Sequence, residues 1–112
     1  MKLPNRDEAY IPLPKLQSYL LSLTHSVGQA KVKFFREFGF DETNIGLFEV
    51  GLLSLARNEE VADTIATPFG TKYIVDGRLS TPTDTFVNVR TVWIIEHGES
   101  KPRFVTAHPL PK

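Results

Sequence analysis

The stretch that decides the fold runs from Thr85 to Glu96 and reads TFVNVRTVWIIE. Its β-branched and aromatic residues favour a long strand, and side chains along a strand alternate between two faces. The more apolar face carries five residues: Val87, Val89, Thr91, Trp93 and Ile95. This face is predicted to pack against the hydrophobic core. The opposite face, with Asn88 and Arg90, is therefore predicted to lie on the uncovered side of the sheet.

Shorter strand patterns lie on both sides of this stretch. Residues 62–68 and 71–75 are separated by Phe69-Gly70 and are predicted to form a hairpin. Residues 76–84 are rich in turn-forming residues, including Gly77 and Pro82, and are predicted to be a loop. A turn at residues 97–102 precedes a last strand over residues 103–108. The sheet is thus expected within residues 62–108, with about four antiparallel strands.

The first half of the chain has helical spacing instead. One helix is predicted to begin at Pro14, and a second follows Ser26 as its N-cap and ends before Gly39. A third is predicted over residues 42–57, capped by Asp41 or Thr43. We therefore expect a single α+β domain over residues 1–112. An extended arm (1–12) would be followed by a helical part (13–58) packed on one face of the sheet, and by a short tail (109–112).

Composition narrows the classes of function. The 112 residues contain no cysteine, which excludes disulfides, thiolate chemistry and sulfur-based zinc sites. The formal net charge is zero, so binding of nucleic acid by bulk charge alone is not supported. The three histidines lack ligand spacing, and we expect no metal site and no cofactor. The polar N-terminus lacks the apolar core of a signal peptide, and no apolar run would span a membrane, so a cytoplasmic location is expected.

Lys31 breaks the pattern of the second predicted helix, which reads SVGQAKVKFFREF over residues 26–38. At about 100° per residue, Lys31 falls inside the apolar face, between Phe38 and Phe35. An inward lysine costs free energy unless its ammonium group finds a partner or reaches a cleft. Alternatively, its aliphatic stem lies along the apolar surface and returns the charge to water. The pattern leaves both interpretations open.

Four residues have side chains suited to cleaving RNA without a metal ion: His25, Lys31, Arg90 and Thr106. A neutral imidazole can take the proton of a ribose 2′-hydroxyl group. Lysine and arginine can stabilise the charge that develops on the phosphate, and a hydroxyl can donate a hydrogen bond to it. The simpler alternatives are a solvated histidine at a helix start and ion pairs to carboxylates. For Arg90 the partner would be a Glu or Asp across the sheet. Carboxylates that could form such pairs with Lys31 or Arg90 are, for example, Glu37, Glu49 and Asp63.

Four further residues are predicted to contact a ligand: Lys72, Thr91, Trp93 and His108. His108 follows Thr106 at strand spacing, so the two would share a face. Trp93, with Tyr73 and Phe104, would offer aromatic surfaces on which bases could stack.

The same positions carry a family resemblance. The segment YLLSLTHSVGQAKVKFFREFGF (residues 19–40) resembles the "YLLNPxHPxGxxKAxFFxxxGF" pattern of a bacterial family, domain of unknown function 6883. Residues 69–73 look like its "YGxxY/F" element, and residues 89–95 and 102–106 like its "VRTxWI" and "PRxxT" elements. The chain departs from the family pattern at Ser26, Val32 and His108, where proline, alanine and an aromatic residue are usual.

The resemblance implies more than the residues do alone. Similar domains occur as small separate proteins and as C-terminal domains of contact-dependent and polymorphic toxins. It implies a fold like that of the barnase–EndoU–colicin–RelE ribonucleases, with motif positions at His25, Lys31, Arg90, Thr91 and Thr106.

Two hypotheses follow. In the first, the chain is a ribonuclease-like toxin domain in which His25 is the general base or acid, Lys31 and Arg90 hold the phosphate, and Thr106 supports them. In the second, it is a protein-interaction domain of a two-gene module, without an active site. The expected partners are RNA in the first case and a small antitoxin or immunity-like protein in either, with no membrane. Pairing of strand edges in a homodimer is a third option.

Overall fold

The computed structural model describes residues 1–16 and 29–110, with the backbone alone for residues 29–32. A short 3₁₀-helix spans Arg6–Glu8, and residues 13–16 are helical. Helices α1 (Gln29–Glu37) and α2 (Ile45–Asn58) follow. Four strands come next: β1 (Val61–Thr67), β2 (Gly70–Ser80), β3 (Phe86–Glu96) and β4 (Arg103–Pro109). The predicted α+β class, with helices preceding an antiparallel sheet of four strands, is confirmed.

The sheet has the order β1-β2-β3-β4, and every neighbouring pair is antiparallel. The alternation predicted for β3 is confirmed from Val87 to Trp93, because Val87, Val89, Thr91 and Trp93 are all buried. It does not hold at Ile95, which is half-buried, while Ile94 of the opposite face is buried. Residues directly opposite them on β2 and β4, such as Val75 and Ala107, are buried as well. These side chains form the core together with Phe35, Phe40, Phe48 and Leu52 from the helical part. One face of the sheet therefore meets the helices.

The predicted loop over residues 76–84 is wrong, because β2 continues to Ser80. Asp76, Gly77 and Arg78 lie opposite Arg90, Val89 and Asn88 in the ladder with β3. Leu79 is buried, so the strand alternation runs on past the glycine. The actual connection between β2 and β3 spans only residues 81–85. It includes Asp84, whose φ is +60°. Pairing with the long β3 outweighs the weak strand propensity of this segment.

Helix α2 approaches β2 closely because two glycines face the contact. A Cβ atom on Gly51 would lie 2.5 Å from Leu79 Cδ1, and one on Gly77 would lie 2.6 Å from Leu55 Cδ2. Phe48, Leu52 and Leu55 are buried on this side of the helix. The helix begins at Ile45, three residues later than predicted, because the Asp41 carboxylate accepts hydrogen bonds from the Thr43 N–H and hydroxyl. These bonds form a turn before the helix and lower the pKa of Asp41.

The two helical glycines of α2 are expected to respond oppositely to alanine. Nothing lies within 4 Å of a Cβ built on the exposed Gly46, so Gly46→Ala should stabilise the protein by about 0.5 kcal/mol through helix propensity. Gly51→Ala should destabilise it by about 1–3 kcal/mol, because the buried Leu79 side chain must move. Urea denaturation of the two variants measures the difference, and equal midpoints would contradict the close contact.

Helix α1 ends as the sequence predicts. Gly39 has φ +96°, the N–H of Phe40 donates to the carbonyl of Phe35, and the N–H of Gly39 donates to that of Arg36. This is the pattern of a Schellman motif. It turns Phe40 into the core, where its ring centroid lies 5.0 Å from that of Phe48.

The N-terminal arm contacts both edges of the sheet. Lys2 bridges to Glu60 just before β1, and Tyr10 pairs in parallel with Arg103 at the start of β4. Leu3, Ala9 and Ile11 are buried, so the arm belongs to the core. At the other end of the chain, β4 includes Pro109, and the Leu110 N–H donates to the carbonyl of Asn88 at 2.9 Å. The tail therefore begins later than residue 109.

Candidate functional site

The face of the sheet turned away from α2 carries most of the polar residues singled out from the sequence. Directly opposite residues on neighbouring strands share a face. Asp76, Arg90 and His108 therefore form one row across β2, β3 and β4. Val92 and Thr106 lie in the next row. We call this surface the open face.

Arg90 is held by a carboxylate on the open face. Its Nε donates to Asp76 Oδ1 at 2.8 Å, and a terminal nitrogen donates to Asp76 Oδ2 at 2.9 Å. These hydrogen bonds and the attraction of Asp76 raise the pKa of Arg90, and Asp63 adds a weaker attraction. The alternative that Arg90 pairs with a carboxylate across the sheet is confirmed, and the partner is Asp76 on β2. The side chains of Arg90 and Asp76 remain 38% and 27% exposed, so the pair is accessible to solvent.

A bulge in β4 determines which residues reach the open face. Val92 is opposite Thr106, while Trp93 is opposite Phe104, so Val105 is an extra residue on β4. A bulge shifts the alternation of side chains by one residue. As a result, Arg103 and Thr106 share the open face although they are three residues apart. The predicted shared face of Thr106 and His108 is confirmed by the ladder.

Two of the predicted ligand contacts are wrong. Thr91 and Trp93 are fully buried on the helix-covered face. The Trp93 indole N–H donates to Thr91 Oγ1 at 2.8 Å, and Thr91 Oγ1 donates to the carbonyl of Val75 at 2.7 Å. These bonds satisfy the polar groups that the core encloses. Phe104 is also fully buried, so neither it nor Trp93 offers a stacking surface, and Tyr73 is half-buried against the core.

The remaining site predictions fall at different places. Lys72 lies on the open face, opposite Ile94, one row away from Thr106 and two rows away from Arg90. His25 lies outside the described residues. Lys31 belongs to α1, but its side chain also lies outside the description. The structure thus brings Arg90, Thr106 and His108 together, while the places of His25 and the Lys31 ammonium stay predictions.

Sequence reasoning missed Asp76 as the partner of Arg90. The missed signal was the alternation of residues 74–79, in which Ile74, Asp76 and Arg78 fall on one face and Val75 and Leu79 on the other. Gly77 interrupted the pattern and favoured a loop. The sequence pattern predicts Phe69 only as a turn residue and gives no sign that its ring is exposed.

Within the described ranges, no three His, Asp or Glu side chains are grouped as a metal site requires. No described helix is both long and apolar enough to cross a membrane.

The fold places the chain among α+β domains in which, within the described residues, helices pack on one face of an antiparallel sheet. A chain in a solved structure titled "Contact-dependent growth inhibition toxin - immunity protein complex from Klebsiella pneumoniae 342" has the same fold. The TM-score is 0.72 at 11% identity, over 96% of this chain and 97% of that chain. The family model of the domain of unknown function DUF6883 matches residues 2–111, and the chain belongs to this family. No curated protein matches the sequence.

Proposed function

We propose that this protein is a ribonuclease-type toxin domain that binds RNA on the open face and cleaves it without a metal ion. The observation that carries the proposal is that Arg90 and His108 lie in one row of the open face and Thr106 in the next, with all three side chains partly exposed. Residues on paired strands are held rigidly, which suits groups that must meet a reacting phosphate. The fold shared with a chain of a toxin–immunity complex supports a role in a toxin–immunity module.

The proposed reaction is transfer of the phosphate within the RNA. A general base takes the proton of the ribose 2′-hydroxyl, whose oxygen attacks the adjacent phosphorus. The bond from phosphorus to the 5′-oxygen breaks, and a general acid protonates that oxygen. The products are a 2′,3′-cyclic phosphate and a 5′-hydroxyl end. His25 is the proposed base or acid, Lys31 and Arg90 stabilise the charge on the phosphate, and Thr106 donates a hydrogen bond.

The test is cleavage of total RNA in the presence of EDTA. We expect the wild-type protein to cleave RNA and to leave cyclic phosphate ends, and His25→Ala to lose at least about a hundredfold in rate. A protein that cleaves no faster than the His25→Ala variant would contradict the proposal. Because a toxin of this kind needs an inhibitor, co-purification with the product of a neighbouring gene is the accompanying assay.

A second candidate is a protein-interaction domain without catalysis. The bidentate pair between Arg90 and Asp76 favours it, since a carboxylate already occupies the guanidinium that would hold a phosphate. In that case the open face would bind a small immunity-like protein. RNA would stay intact in the assay above, while the partner would still co-purify.

A further inference from the structure

A cavity of about 320 Å³ opens on the same side of the sheet, next to the β1–β2 turn. Its lining combines cationic and apolar side chains: Lys15, Phe69, Lys72, Ile94, Glu96, Arg103 and Val105. Three cations and one carboxylate leave an excess of positive charge, although the whole chain is neutral. The cavity is therefore a local cationic site that composition could not reveal.

The sheet register fixes the cations on either side of an apolar floor. Lys72, Ile94 and Arg103 form one row across β2, β3 and β4. Ile94 is only 5% exposed, so its side chain closes the bottom of the cavity. Arg103 is paired with Glu96. Among the ion pairs of the described residues none includes Lys72, so its ammonium group is available to an anionic ligand.

An aromatic ring stands beside these charges. Phe69 is 73% exposed, the largest exposure of any bulky apolar side chain in the described part of the chain. The Phe69 carbonyl accepts a hydrogen bond from the His97 N–H at 2.9 Å, which ties its backbone to the turn after β3. An exposed ring beside cations is the combination with which proteins bind single-stranded nucleic acid, because bases stack while phosphates meet the charges.

We propose that this cavity is an RNA subsite, in which the Phe69 ring stacks on a base and Lys72 contacts a phosphate. The inference rests on the proposed function, since it assigns RNA as the ligand of the open face. Arg90 and Ile94 are four residues apart on β3, so the cavity lies about 13 Å along the strand from the Arg90 row. A single RNA strand that crosses the open face would contact both places, and the cavity would hold nucleotides that flank the cleaved bond.

The test uses a labelled single-stranded RNA whose 2′-hydroxyls are methylated, so that binding is measured without cleavage. By fluorescence anisotropy, Phe69→Ala should weaken binding about fivefold or more with an unchanged salt dependence. Lys72→Gln should weaken it at low salt and lower the slope of log affinity against log salt by about 0.7–1. Lys72→Arg should restore most of the affinity, because the charge is retained.

Arg57→Gln is the matched control. It also removes one positive charge, but Arg57 is exposed on α2, on the other side of the sheet. The affinity of this variant for the RNA should therefore equal that of the wild type. Equal unfolding midpoints would show that all variants are folded. Wild-type affinity in both Phe69→Ala and Lys72→Gln would overturn the subsite. A second result would also overturn the subsite. If a polyglutamate peptide bound through Lys72 as tightly as the RNA, and Phe69→Ala did not weaken that binding, the site would fit an acidic protein.

The two proposals fail separately. If the protein cleaves RNA but the Phe69 and Lys72 variants bind RNA like the wild type, the subsite proposal is overturned and the ribonuclease proposal stands. Binding that depends on both residues, without cleavage, would support the subsite and remove the ribonuclease.

Discussion

Gly70→Ala is expected to destabilise the protein by at least about 3 kcal/mol. Gly70 has φ +156°, and a Cβ atom there would lie 2.3 Å from the carbonyl oxygen of Ile95 and 2.6 Å from Glu96 Cα. Both obstacles belong to the backbone of the neighbouring strand, which cannot move aside as a side chain can. The alanine variant must therefore separate the start of β2 from the end of β3. Urea denaturation monitored by Trp93 fluorescence measures the loss.

Gly98→Ala provides the control for backbone conformation alone. Gly98 also has a positive φ, +82°, but nothing lies within 4 Å of its Cβ position. We expect a loss of about 1 kcal/mol from the left-handed conformation. If the two variants were equally stable, the close approach of β3 to Gly70 would be contradicted.

Under the proposed ribonuclease function, Arg90→Ala is expected to lower the rate of RNA cleavage about a hundredfold, because the variant would lose one preorganised cationic donor to the phosphate. The same change should leave the denaturation midpoint close to that of the wild type, since the pair with Asp76 is exposed to solvent. Rates in EDTA and denaturation curves, measured on the same preparation, separate the two effects.

Arg78→Ala is the matched control on the same face. Arg78 lies opposite Asn88, one row from Arg90, and its guanidinium carbon lies 4.5 Å from the centre of the Phe86 ring. Its loss should change the rate less than about threefold, as expected of a charge that only contributes to the general field. An equal small effect of both substitutions would assign Arg90 a structural role beside Asp76.

The sequence predicts the core side of the fold well, because packing imposes a clear period. The alternation in β3, the burial of Phe48, Leu52 and Leu55 in α2, and the end of α1 at Gly39 all follow from local patterns. The strand content of residues 76–80 does not. The strand propensity of this segment is weak, and pairing with residues of β3 that lie six to fourteen positions further along the chain decides the structure.

The site is less predictable than the fold, because its residues meet only through tertiary pairing. Arg90 was recognised from its face of β3, but its partner Asp76 lay in a segment interpreted as a loop. Thr91 and Trp93 belong to the same motif as Arg90, yet alternate positions of a strand point to opposite sides. Motif membership therefore did not distinguish a residue facing solvent from one that completes the core.

The extra residue Val105 gives β4 two phases of side-chain alternation. The half before it is tied to the arm, where the Phe104 N–H donates to the carbonyl of Tyr10. The half after it is set by pairing with β3 between Val89 and Val92. Because a one-residue slip normally reverses every side chain in a strand, the irregularity confines such a slip to one half. Arg103 in the cavity and His108 beside Arg90 therefore lie on the same face, although regular alternation would place two residues five positions apart on opposite faces.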